Sequence, residues 1–98
     1  MSKILIIEDE ASIRRVLTKI LSEENDTYQV EEAEDGVQGL EKIKNTDYDL
    51  VLCDIKMPKM DGMEVLQKAK ERGISTTFIM VSAHGTTEIA VDATKLGA

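Results

Sequence analysis

One cysteine, one histidine and one proline occur in the 98 residues, and there is no tryptophan. Cys53 alone forms no internal disulfide, and with His84 as its sole histidine the chain has no Cys/His set for a zinc centre. No apolar run approaches the ~20 residues of a membrane helix, and no signal-peptide pattern opens the chain, so a cytoplasmic location is expected. Cationic surplus is also missing. Nineteen acidic against 12 basic residues leave a formal charge of −7, which repels nucleic-acid backbones and anionic lipid alike. Apolar residues still make up 42%, enough to fold one domain around a core.

Two periodicities alternate along the chain. Ile4-Leu5-Ile6-Ile7 and Leu50-Val51-Leu52-Cys53 are short unbroken apolar runs, the pattern of strands covered on both faces. Phe78-Ile79-Met80-Val81 reads the same way, and Tyr28 to Ala33 is a weaker strand. Between them, Ile13, Val16, Leu17, Ile20 and Leu21 recur at helical spacing, as do Val37, Leu40 and Ile43, and Met63, Leu66 and Ala69. Gly73 ends the third helix. After Gly85, Thr86 and Thr87 are N-cap candidates for a fourth helix bearing Ile89, Ala90, Ala93 and Leu96. The order β-α-β-α-β-α-β-α predicts a doubly wound α/β fold on a parallel sheet.

Ligands of such sheets bind at the carboxyl ends of the strands. The first strand ends in Glu8-Asp9, followed by Glu10; the third ends in Asp54; the fourth ends in Ser82-Ala83-His84. Adjacent first and third strands bring Glu8, Asp9 and Asp54 together. Their mutual repulsion calls for a hard cation with oxygen ligands, and Mg2+ suits a site with few carboxylates and a phosphate to share. A carboxylate nucleophile beside that cation takes a phosphoryl group. Taken singly, the acidic run fits equally well as the first turn of a helix, where the dipole favours negative charge. Asp54 alone reads as a turn residue before Pro58, and Ser82 alone as an ordinary residue on the approach to a helix. Cys53 and the methionines Met57, Met60 and Met63 read as packing or loop-anchoring residues.

Ile4 to Glu10, together with Asp54-Ile55-Lys56-Met57-Pro58-Lys59-Met60-Asp61-Gly62 and Ser82-Ala83, resembles the receiver domain of two-component response regulators over the whole chain. The resemblance implies a flavodoxin-like sheet and a phosphorylatable signalling module, not an enzyme. It implies Asp54 as the phosphoacceptor of a sensor histidine kinase. Mg2+ is then held by Asp9, Asp54 and the backbone carbonyl of Lys56, with Glu8 acting through a water. Ser82 matches the switch hydroxyl, and Lys56 and His84 stand at positions that tune phosphoryl lifetime. The stretch from Ser82 to Ala98 is similar to receivers joined to sigma-54-dependent activators, which implies control of transcription.

Receivers normally continue with a fifth strand, a Lys-Pro step and a fifth helix, so residues 1–98 are expected to be a receiver truncated before these, with sheet order 2-1-3-4. No lysine here fills the role of the one in that step; Lys95 is on the expected last helix. The fourth strand is then an open edge, the first helix is left partly exposed, and homodimerisation or edge pairing is expected to compensate. Two other functions stay open at this point. A Mg2+-dependent phosphohydrolase working through an aspartyl phosphate needs a second acid two residues past Asp54, where Lys56 stands. A non-phosphorylated interaction scaffold needs a broken acidic site, and Glu8, Asp9 and Asp54 are all present.

Overall fold

The computed structural model describes residues 2–55, 57, 59–83 and 89–94, the last stretch and Ser82-Ala83 as backbone only. The elements are β1 (Lys3–Ile7), α1 (Ala11–Glu24), β2 (Gln29–Ala33), α2 (Gly36–Asn45), β3 (Leu50–Asp54), α3 (Gly62–Glu71), β4 (Thr77–Ala83) and β5 (Ile89–Thr94). They form one sheet in the order β2-β1-β3-β4-β5. The first four strands pair in parallel, in the α/β arrangement that the alternating periods predict.

Side chains on a strand alternate between its two faces, and the core divides accordingly. Leu5 and Ile7, Val51 and Cys53, and Phe78 and Met80 point to one face, where Ile43 of α2 and Val65, Leu66 and Ala69 of α3 close over them. Ile6, Leu52 and Val81 point to the other, with Leu17 and Leu21 of α1 packed against them. Burial on both faces explains the continuous apolar runs in these strands.

The helices covering the first face start on aspartates. Asp35 accepts a bond from the Gln38 amide at 2.8 Å, and Asp61 one from the Glu64 amide at 2.9 Å, each satisfying a donor of the first turn. Gly73, at φ 75°, supplies the left-handed turn after α3 and donates to the Lys70 carbonyl.

Three expectations need correction. The segment expected as a fourth helix is instead β5 over Ile89–Thr94, antiparallel to β4 with Phe78 opposite Thr94 and Ala83 opposite Ile89. The order is therefore 2-1-3-4-5, and the outer edge of β4 is covered by this chain's own strand, not left open. Ile89, Ala90 and Ala93 fit a helical spacing, but Ile89, Val91 and Ala93 equally fit a period of two, and the unpaired ladder of β4 favours the second. An antiparallel return needs only the short connection available between Ala83 and Ile89, whereas a parallel strand needs a crossover. Thr86, Thr87, Lys95 and Leu96 lie outside the described residues. Met63 is 52% exposed, so it does not pack as Met57 and Met60 do. On α1, which has no fully buried residue, Val16 is 49% and Ile20 53% exposed.

Candidate functional site

Parallel pairing of Ile7 with Cys53 sets the ends of β1 and β3 side by side, and the chemistry-bearing residues follow directly. Carboxylate oxygens of Glu8, Asp9 and Asp54 lie within 4.8 Å of one another. Glu8 is 1% and Asp54 7% exposed, while Asp9 faces solvent. The sequence expectation that these three converge is thus met in geometry.

Backbone bonds hold the group in place. The Glu8 amide donates to the Ala33 carbonyl of β2, and the Ile55 amide donates to the Val81 carbonyl of β4. One Glu8 carboxylate oxygen, Oε2, accepts the Glu10 amide at 2.7 Å. The other, Oε1, is buried without a hydrogen-bond partner among the described residues. Burial pushes the Glu8 carboxyl up to about 8, and the neighbouring Asp9 and Asp54 carboxylates add to the shift. A buried carboxylate oxygen with no partner, crowded by two more carboxylates, is the donor set that a hard divalent cation satisfies. The residues therefore fit Mg2+.

Two residues to which the sequence reading gave no role shape this site. Arg14 of α1 donates through Nη1 to the Glu8 carbonyl at 2.7 Å and through Nε to Glu32 Oε1 at 3.2 Å. It fixes the backbone of the acidic turn and does not neutralise the Glu8 carboxylate. Gly62 opens α3 directly against β3: its amide donates to the Ile55 carbonyl at 2.9 Å, and a Cβ there would collide with the Asp54 carbonyl and with Met80. The Asp-Gly step at 61–62 was the readable signal for such a close approach.

Cys53 is fully buried next to Asp54, and burial raises its thiol to about 12, in keeping with its reading as core. The strand register puts Ser82 one residue beyond Val81, the partner of Asp54, and only its backbone is described. Lys56 and His84 lie outside the described residues.

Residues 4–98 match the family model for the response regulator receiver domain. The chain belongs to the response regulator receiver family. This receiver domain is 43% identical over 84 residues to the transcriptional regulatory protein ResD of Bacillus subtilis, covering 86% of the chain and 34% of ResD. It is 41% identical over 96 residues to the chemotaxis protein CheY of the same organism, covering 98% of the chain and 79% of CheY. Among solved structures it resembles the response regulator TrrA of Thermotoga maritima, crystallised in complex with Mg(2+)-BeF. That match has a TM-score of 0.79 and 35% identity, and covers 87% of this chain and 72% of TrrA. The receiver domain spans less than half the length of several such regulators, for example 42% of DltR of Streptococcus agalactiae. Some relatives are enzymes. A protein-glutamate methylesterase/protein-glutamine glutaminase of Lawsonia intracellularis is 40% identical over 85% of this chain, which covers 23% of it. Among the described residues no helix is long and apolar enough to cross a membrane.

Proposed function

We propose that this receiver domain takes a phosphoryl group on Asp54 from the phosphohistidine of a sensor histidine kinase, with Mg2+ held by Asp9, Asp54 and the Lys56 carbonyl. Glu8 acts on that cation through a bound water. The single observation that carries the reading is the buried Glu8 Oε1, without a hydrogen-bond partner among the described residues, beside two further carboxylates at the strand ends. When bound, the cation offsets the charge of the carboxylates and of the incoming phosphoryl oxygens.

The chain's own part is positional. An Asp54 carboxylate oxygen forms the new O–P bond while the P–N bond of the donor breaks, and the donor imidazole leaves with its electron pair. Burial of Asp54 between β1 and β4 fixes the approach of that oxygen and limits access of water to the acyl phosphate. Ser82, one residue past the register partner of Asp54, supplies the hydroxyl that engages the phosphoryl group; His84 and Lys56 adjust its lifetime. The module signals, and the reaction is a self-modification without a turned-over substrate. Likeness to ResD and DltR, both transcriptional regulatory proteins, supports a transcriptional output in the cytoplasm.

The test is incubation with Mg2+ and acetyl phosphate, read by intact mass, beside Asp54→Ala. One phosphoryl adduct on the unsubstituted protein and none on Asp54→Ala is the expected result. An adduct that persists in Asp54→Ala, or no adduct and no Mg2+-dependent NMR response in the unsubstituted protein, refutes the assignment.

A further inference from the structure

The loop joining Asp54 to α3 is closed at its base by Gly62, whose amide meets the Ile55 carbonyl. Its far side rests on something else. A Cβ on Gly36, the first residue of α2, would stand 2.5 Å from the Met60 carbonyl oxygen, 2.8 Å from Val65 Cγ2 and 2.9 Å from Met60 Cβ. Helix α2 thus touches this loop backbone to backbone. One residue earlier, the buried Asp35 caps α2 with Oδ1 and faces Lys59 Nζ with Oδ2 at 3.5 Å. Lys59 holds φ 69°, the one left-handed non-glycine conformation among the described residues. A left-handed kink, an ion pair and a glycine contact all fall where the loop crosses the start of α2.

We propose that the first turn of α2 is the seat of the metal-binding loop and that Gly36 is a positioning residue for Mg2+ at Asp54. The inference rests on the site reading above, in which Asp54, from which that loop departs, is a ligand. Any side chain at position 36 makes the Met60 carbonyl or the helix yield by about half an ångström to reach even the shortest contacts that Cβ atoms make. Mg2+ demands near-ideal octahedral geometry with ligands at about 2.0–2.1 Å, so a shift on that scale, passed from Met60 through the Gly62–Ile55 contact to Asp54, weakens its binding.

Gly39 provides the matched control. It lies in the same helix, it is buried, and its Cβ would collide as hard, but with the side chain of Ile7 and not with the loop. Isothermal titration of Mg2+ into the unsubstituted protein, Gly36→Ala and Gly39→Ala, each with its Tm, separates the two roles. Gly36→Ala is expected to raise the Mg2+ Kd by about fivefold or more, while Gly39→Ala lowers Tm yet keeps its Kd within about twofold. Where Gly36→Ala does not fold, amide exchange in the unsubstituted protein decides. Mg2+ should slow the Gln38 and Gly39 amides, bonded to Asp35, and leave the Thr46 amide at the far end of α2 unchanged.

Equal Kd values in all three proteins, or Kd rising in both variants in step with lost Tm, overturn the proposal. So does Mg2+ protection spread evenly along α2. An unsubstituted protein that does not bind Mg2+ is a different failure: it removes the reading of the site, and this inference with it.

Discussion

Replacing Glu8 with glutamine should stabilise the metal-free protein at neutral pH, and the gain should depend on pH in a defined way. Glu8 is 1% exposed, and its carboxyl is pushed from an ordinary value of 4.5 to about 8. A carboxyl whose folded pKa is raised binds its proton more tightly in the folded state. Its contribution is fully present below about pH 4.5 and is lost as pH rises towards 8, by about 1.4 kcal/mol per pH unit. At pH 7 the loss is about 3 kcal/mol, and at pH 5 under about 1 kcal/mol. Glutamine keeps the shape and carries no charge, so Glu8→Gln minus the unsubstituted protein reports the titration of Glu8 together with its coupling to the Asp9 and Asp54 carboxylates. Urea melts followed by far-UV circular dichroism at pH 5, 6, 7 and 8 are the assay. With a slope of about 1–1.5 kcal/mol per molar urea, the midpoints should separate by about 2–3 M at pH 7 and converge towards pH 5. Saturating Mg2+ should narrow the gap at pH 7 by stabilising the unsubstituted protein preferentially. A difference that is flat with pH, or that grows towards acid, refutes the account of Glu8 as a buried carboxyl held protonated by desolvation.

The sole cysteine should behave as core: in native buffer Cys53 reacts with a disulfide reagent only as fast as the protein unfolds, and rapid labelling would contradict its burial and raised thiol pKa of about 12. The two faces of the sheet should also differ in sensitivity. Phe78→Ala, at a site 1% exposed, should cost about 3–5 kcal/mol, and Val16→Ala under about 0.5 kcal/mol, by urea melts; comparable losses would refute the assignment of the main core.

Much of the fold was readable because strands covered on both faces advertise themselves. Ile4–Ile7, Leu50–Cys53 and Phe78–Val81 are unbroken apolar runs, and each lies within a central strand. β2 was faint because it is an edge strand, where Gln29 is exposed and Val30 only half buried. The acidic site was legible for a topological reason: in a parallel sheet the ends of β1 and β3 meet whatever the intervening sequence does. Ile89–Thr94 misled because its small and β-branched residues satisfy both periods, and pairing with β4 decides between them through contacts that no local pattern contains. Arg14 was hidden for a related reason. Its hydrogen bond to a backbone carbonyl across a turn leaves no trace in spacing or charge pattern. The glycine contacts of 36 and 62 were half visible, since each follows the aspartate that caps its helix.

The two faces of the sheet are clad unequally, and this sets an order of failure. Among the described residues, twelve buried ones knit α2 and α3 to one face, while the α1 side holds three and α1 itself buries none. Under thermal or denaturant stress α1 should be the first helix to detach, well before the rest of the domain melts. Arg14 leaves with it, and the Glu8 carbonyl loses its guanidinium. The acidic turn at the end of β1 is thereby fastened to the least durable part of the molecule, so loss of cation binding should precede loss of the fold.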